Sequence, residues 1–332
     1  MKRATNRNDV ARLAKVAPST VSNVLNGTKY VSDNVKERVL NAIKELQYEP
    51  SLLARSLKNG STKQISVLVN SLENFEEIYR GMNQAAQNSE YTLSVVIAND
   101  KRADYYGECF ARRSDGIINL SHFFCSDSDY LKLIDHSVAV VNVAPGKKSA
   151  EVSLNYAPAV EAFVRDLTEK KRTKLAVIAD TSFAEFMPDT RMIALRYYMA
   201  QSGAPLDENR LRCFEENMAM LNVSEFGYRA MNDLMDRFPD TNAVFCVNDY
   251  IAMGVYKCLF ERGKNVPRDI SVCGCDNFPL GEFTYPALST MSVNRTEFGR
   301  CCVESILSQL RGDREETDRK VLFASYIPRD SV

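Results

Sequence analysis

The chain has 332 residues, 45% hydrophobic and 26% charged, with a formal net charge of −1. That length is more than one core usually serves, so two or three domains are expected, and no apolar run approaches the roughly 18 residues of a membrane span. The near-zero net charge argues against a nucleic-acid partner only if charge is evenly spread, and it is not. Through Lys63 there are twelve Lys/Arg against five Asp/Glu, a net of +7, which leaves 30 bases against 38 acids, −8, for the other 269 residues.

The opening MKRATNRND is polar where an export signal needs an apolar stretch, so a cytoplasmic location with reduced thiols is expected. The nine cysteines show no zinc spacing: Cys273 and Cys275 are one residue apart, and Cys301 and Cys302 are adjacent. With only His122 and His136 besides, neither a metal nor a cofactor is expected, and the cysteines read as core or half-exposed residues.

In NRNDVARLA, residues 6–14, Val10, Leu13 and Ala14 fall at helical spacing, with Asn6 available as N-cap. A break at Lys15-Val16-Ala17 leads into PSTVSNVLN, residues 18–26, with Pro18 at the first helical position. Val21, Val24 and Leu25 share one face of that helix, and Ser19, Thr20 and Asn23 the other, before Asn26-Gly27 ends it in a left-handed cap or turn. A longer helix starts at Ser32 and carries Val39, Ala42, Ile43 and Leu46. Two short helices, a tight turn and a brace make a helix-turn-helix unit. Small polar groups on the second helix fit a major groove, and Asn23 can pair an adenine edge. An ordinary three-helix scaffold with solvated Ser and Asn accounts for the same pattern. After Tyr48-Glu49-Pro50, SLLARSLKNGST (51–62) offers a two-turn helix bearing Leu53, Ala54 and Leu57, too short to form without a partner.

The continuous stretch DVARLAKVAPSTVSNVLNGTKYVSDNVKERVLNAIKELQYEPSLLARSLKNG, residues 9–60, resembles the DNA-binding head and hinge of the lac-repressor (LacI/GalR) family. The resemblance implies that helix 18–26 reads the major groove, with Pro18, Ser19, Thr20, Asn23 and Asn26 as DNA-facing residues. It implies that Ala54 and Leu57 enter the minor groove, Leu57 as a wedge that kinks the duplex, with Arg55 and Lys58 beside backbone or minor-groove edges. The chain departs from the family's usual pattern at Ala17, where Ser commonly caps the reading helix, and at Asn6 and Asn8, where Thr and Lys are usual.

From Lys63 on, short apolar runs alternate with amphipathic ones. Strands are expected at 65–69, 93–98, 116–120, 139–143, 174–179, 243–247, 270–275 and, late, 321–328. Helices are expected at 75–88, 157–169, 191–201, 224–237, 250–261 and 296–310, with about two turns around Tyr105–Arg112. The alternation reads as βα units in parallel sheets. The expected organisation is a head over 1–50, a hinge helix and linker over 51–62, and a two-lobed α/β body over 63–332. The N-lobe takes about 63–156 and 291–320, and the C-lobe about 157–290 and 321–332.

Ligands of parallel α/β sheets bind beyond the carboxyl ends of the strands. There stand Asn248-Asp249 after 243–247, Asp276-Asn277 after 270–275, and Arg191 at a helix start. A carboxylate there can take two sugar hydroxyls and an arginine fork can hold ring or carboxylate oxygens; equally, Asp249 can cap the next helix and Asp276 can close a turn. VFCVNDYIAMGVYKCLFERGKNVPRDISVCGCDNFP (244–279), RMIALRYYMAQSG (191–203) and the terminal RDS (329–331) resemble the same family's effector region, arginine-bearing helix and terminus. The resemblance implies a periplasmic-binding-protein-like body with Arg191, Asp276 and Asp249 lining an effector site, and Phe75 is expected to join them. It is thin between 70 and 170: the loop before Gly81 is two residues shorter than usual, with Phe75 filling part of that space, and Asn142, Asn155 and Tyr156 replace commoner residues.

The expected function is therefore a ligand-responsive transcription regulator, a repressor on a palindromic operator in double-stranded DNA. It is expected to act as a homodimer, with a carbohydrate-related small molecule in the interlobe cleft. Pairing is expected through helices 75–88 and 250–261, given Met253, Val255, Tyr256, Leu259 and Phe260. A constitutive DNA-binding regulator with a vestigial or protein-gated cleft is the alternative. An enzyme would need a phosphate-cradling glycine loop or an acid/base pair, and neither occurs; a transported-solute receptor would not carry residues 9–60.

Overall fold

The structure, a computed structural model, describes residues 5–27, 29–48, 61–72, 75–98, 104–121, 124–142, 150–214, 222–313 and 319–332. In the head, α1 (Arg7–Leu13) opens on a capping box: the Asn6 side chain accepts from the N–H groups of Asn8 at 2.8 Å and Asp9 at 3.2 Å, and the Asp9 carboxylate accepts from Asn6 N–H at 3.0 Å. The turn into α2 (Pro18–Asn26) passes through Lys15 in the left-handed region, φ 53°, and α2 ends on Gly27 at φ 63°. The brace α3 (Asp33–Glu45) starts after Ser32, whose hydroxyl makes no cap bond. Arg38 on α3 donates to Ala14 O at 2.5 Å and Lys15 O at 3.1 Å, fixing the turn. Val10, Ala11, Ala14, Val21, Val39 and Ala42 form the buried centre.

The elements that follow are β1 (Gln64–Val69), α4 (Glu76–Gln87), β2 (Thr92–Ile97), α5 (Tyr105–Ala111), β3 (Gly116–Asn119), α6 (Asp127–Asp135), β4 (Ala139–Val141), β5 (Glu151–Asn155) and α7 (Ala157–Glu169). Then come β6 (Leu175–Ala179), α8 (Phe183–Phe186), α9 (Thr190–Gln201), β7 (Leu211–Cys213), α10 (Val223–Arg237), β8 (Ala243–Cys246), α11 (Asp249–Glu261) and β9 (Ser271–Cys273). The chain closes with β10 (Thr290–Ser292), α12 (Arg295–Arg311), β11 (Arg319–Phe323) and β12 (Ser325–Ile327). No described helix is long and apolar enough to cross a membrane.

Two compact units emerge, 1–70 with 89–139, and 71–88 with 140–332. In the first, β1 lies between β2 and β3 in a parallel sheet of order β2-β1-β3-β4. The linker enters that sheet on Asp115, whose carboxylate accepts from Ser61 Oγ (2.5 Å), Thr62 N–H (2.9 Å) and Lys63 N–H (3.0 Å). In the second, the parallel sheet β7-β6-β8-β9 carries the largest core, with Phe163, Phe186, Phe226 and Phe245 fully buried. Helices α4 and α12 cross backbone to backbone: a Cβ on Gly81 would lie 1.8 Å from Thr296 O, and one on Gly299 2.0 Å from Ile78 O.

Two expectations are corrected. The single late strand over 321–328 is two strands: β11 pairs parallel with β5, and β12 pairs antiparallel with β10. The buried Ala324 separates them, its N–H bound to Asn155 O at 2.9 Å. On α11, Val255 and Leu259 are 0% exposed and belong to the protomer's own core, with Met253 and Tyr256 packed against it. Val255 and Leu259 are therefore not free to pair with another chain, whereas Phe260 is 84% exposed. Short strands β5 and β7 and helices α6 and α8 went unread, because three to nine residues of mixed polarity carry no periodicity. Eight cysteines are buried and Cys213 half-buried, all as free thiols.

Candidate DNA-reading face and effector site

Pro18 opens α2 without an N–H to satisfy, and Ala17 ahead of it supplies no side-chain cap. On this helix Ser19 is exposed and Thr20 and Asn23 half-buried, while Val21 turns into the core. Ser22 is taken up structurally: its hydroxyl accepts from Arg7 Nη1 at 3.0 Å and donates to Pro18 O at 3.2 Å, joining α1 to α2. The arrangement leaves short hydrogen-bonding side chains at the start of a helix braced from behind, the shape a major groove admits. Asn26 is the last residue of α2; its side chain, and Ala54, Arg55, Leu57 and Lys58, lie outside the described residues.

In the second unit the carboxyl ends of β6, β8 and β9 are wired to one another. After β6, Asp180 accepts from Asn248 Nδ2 at 2.6 Å, and Asn248 caps α11 by accepting from Ile251 N–H at 2.9 Å. Asp249 is buried; its carboxylate accepts from Phe278 N–H at 2.7 Å and from the Thr290 hydroxyl at 2.8 Å. Burial pushes this carboxyl up from its ordinary 3.8 to about 7, against those two bonds, which pull it down. Gly274 makes room for it, since a Cβ there would stand 2.0 Å from Asp249 Oδ1. Asp249 thus latches the segment after β9, a positioning role besides any contact with a ligand.

Arg191 lies in the first turn of α9 behind the N-cap Asp189. Its Nε and Nη2 donate to Asp189 at 2.9 and 2.7 Å, and Nη1 donates to Val247 O at 2.9 Å, with the guanidinium 5.4 Å from the Tyr156 ring centre. Burial works against the charge, but the Asp189 bonds more than offset it and the guanidinium is held firmly cationic. Asp276 and Asn277 both adopt left-handed backbone, φ 104° and 54°, conformations that cost about 1–3 kcal/mol each and persist where surroundings impose them. Asp276 N–H donates to Met291 O at 2.7 Å, and Asn277 Oδ1 accepts from Arg329 Nη2 at 2.6 Å. The Asp276 carboxylate pairs with Arg295 Nη2 at 2.5 Å, and Arg295 lies 5.5 Å from the Phe278 ring centre. Burial pushes the Tyr156 hydroxyl up; Cys275 and Asp276 reinforce this, and Arg191 and Arg295 oppose it, which marks the surroundings these groups share.

The structure therefore brings Arg191 and Asp276 around Tyr156 and Cys275. Asp249 stands behind that group, lining a pocket of 380 Å³ with Leu72, Glu76, Tyr250, Phe278 and Arg295. Phe75 is buried at the N-cap of α4, its ring 5.8 Å from Tyr79. Arg295, Asp189 and Arg329 escaped the sequence reading. Arg295 opens α12 shortly after β10, as Arg191 lies in the first turn of α9, but a charged residue at a helix start is too ordinary to single out. Among the described residues no group of three or more His, Cys, Asp or Glu is placed to hold a metal.

Residues 8–51 match the model for bacterial regulatory proteins of the lacI family, and residues 164–332 match a periplasmic binding protein-like domain. The ribose operon repressor of Haemophilus influenzae is 29% identical over 334 residues, 98% of this chain and 97% of the relative. The HTH-type transcriptional repressor PurR of Vibrio cholerae is 30% identical over 338 residues, with 98% and 97% covered. The fold is that of the lac repressor dimer solved with operator and the anti-inducer ONPF, with a TM-score of 0.82 at 20% identity and 99% of each chain covered. The 30% identity to PurR along nearly the whole chain, over the same head and body, establishes that the protein belongs to the lacI family of bacterial regulatory proteins, DNA-binding regulators of transcription.

Proposed function

We propose that this chain is a repressor that binds a palindromic operator as a homodimer and is controlled by a carbohydrate-related small molecule held by Arg191, Asp276 and, through its latch, Asp249. The observation that carries the DNA half is the outward side of α2, where Ser19 is exposed and Thr20 and Asn23 are half-buried on a braced helix, within a segment of net charge +7. Ala54 and Leu57 then act in the minor groove, with Arg55 and Lys58 beside backbone or minor-groove edges, as the family resemblance implies. One head makes few phosphate contacts, and its affinity falls steeply with salt; two heads on symmetric half-sites gain through effective concentration. Pairing is assigned to α11 around Phe260, which is 84% exposed. A ligand coupling of about 1–3 kcal/mol shifts operator affinity roughly 5- to 150-fold.

The test is binding-site selection with the purified protein and Asn23→Ala. The variant is expected to lose discrimination at one base pair per half-site, about 1–3 kcal/mol, while its salt dependence stays near that of the parent. Unchanged base preferences would remove Asn23 from the reading face. A second reading, a constitutive regulator, is favoured by the internal pairing of Arg191 with Asp189 and of Asp276 with Arg295. Operator release on adding a small molecule separates the two.

A further inference from the structure

We infer that Arg295 sets the chemical class of the effector: because its guanidinium already occupies Asp276, the site selects a hydroxylated molecule bearing a carboxylate or phosphate over the corresponding neutral sugar. This rests on the reading that Arg191 and Asp276 hold the effector. The pair is mostly shielded, its side chains 12% and 15% exposed, and it is held from both ends. Arg295 is the first residue of α12, behind the Asn294 cap, with Phe278 against its guanidinium. Asp276 stands on left-handed backbone, fixed by the bond to Met291 O and by the hold of Arg329 on Asn277. Its Oδ1 also takes the Cys275 thiol at 3.7 Å.

A neutral polyol needs an acceptor for its hydroxyl protons, and the carboxylate at the strand end is the natural one. Here Oδ1 of that carboxylate is held by Arg295 and also takes the Cys275 thiol, so a neutral polyol keeps only Oδ2 as an acceptor and brings no charge to the two cations beside it. An anion meets the opposite situation. A guanidinium presents five N–H groups in a planar fork, so Arg295 can take a ligand oxygen while keeping Asp276. Arg191 spends three of its N–H groups on Asp189 and Val247 O and has donors beyond them. Two cations facing Tyr156 and Phe278, each already balanced by one carboxylate, accommodate one further anion through charge-assisted bonds, and the rest of the ligand retains its hydroxyls for Asp276 Oδ2.

The experiment is isothermal titration of the full-length protein with D-gluconate and with D-glucose 6-phosphate, against D-glucose and D-ribose, repeated on Arg295→Met, Arg295→Lys and Asp276→Asn. At least one anion is expected to bind the parent about tenfold or more tightly than D-glucose, equivalent to ~1.4 kcal/mol; the two anions distinguish carboxylate from phosphate. Arg295→Met is expected to lose that preference and to gain affinity for the neutral sugars, and Arg295→Lys, which keeps a charge on Asp276 and controls for folding, to retain part of it. Neutral sugars binding the parent as tightly as the anions, or no binding of either anion, overturns the inference. So does a preference that survives Arg295→Met while Asp276→Asn abolishes binding, which leaves the site reading intact. Anion binding that survives both Arg295→Met and Asp276→Asn shows instead that the effector sits elsewhere, and the site reading fails.

Discussion

Asp249 carries a carboxyl that titrates near neutrality in the folded chain and near 3.8 when unfolded. The folded state holds this proton more tightly, so the group's contribution to stability is complete below about pH 3.8 and is lost as pH rises through about 7. Between pH 5 and pH 8 that loss amounts to about 2–3 kcal/mol. Urea unfolding at the two pH values is expected to show it in the parent and to show correspondingly less in Asp249→Asn, whose amide can still accept from Phe278 N–H. Equal pH slopes in the two proteins would mean that Asp249 is already ionised when buried. At this scale the sequence was informative where position alone singles a residue out. Asp276 and Arg191 follow strand and loop ends, and so they could be named. The partners that decide what they can do, Arg295 and Asp189, are ordinary charged residues at helix starts; only the packed chain shows that one covers Asp276 and the other grips Arg191.

Among the elements, the crossing of α4 and α12 has the least tolerance. The backbones touch at Gly81 and Gly299, and a carbonyl oxygen under 2.5 Å from a new Cβ cannot move aside as a side chain can. Gly81→Ala is expected to cost about 3 kcal/mol in urea unfolding, whereas Gln84→Ala, on the exposed side of α4, changes stability by no more than about 0.5 kcal/mol. A Gly81→Ala protein as stable as the parent would show that the helices can part. Long amphipathic helices such as α10 and α12 were legible, because their apolar spacing repeats over several turns. The glycines within them carried no signal of the close crossing, since periodicity records which face is buried and not how near a second backbone comes. Of the three-residue strands, β4 and β9 were legible because they sit in longer apolar runs, whereas β7, of mixed polarity, is too short for alternation to register. The run 321–328 is uniformly apolar enough to look continuous, and only the pairing of its halves with different partners divides it.

For the molecule as a whole, the separation of a +7 segment, head and hinge through Lys63, from a −8 remainder assigns the contact with DNA to that segment, because the acidic remainder is repelled by phosphate. The thiols are divided along a related line. All nine lie beyond the head: Cys109 and Cys125 in the first unit, the other seven in the second. Eight are buried and burial pushes Cys213, the half-buried one, up to about 11, so at neutral pH the native protein should react slowly with a maleimide. The cysteine distribution thus makes the chain its own recorder of where it opens. During stepwise heating with brief maleimide pulses, mass spectrometry is expected to find no added label while the head melts, two labels when the first unit opens, and up to seven when the second does. Labels appearing together with head melting would mean that the head and body open as one.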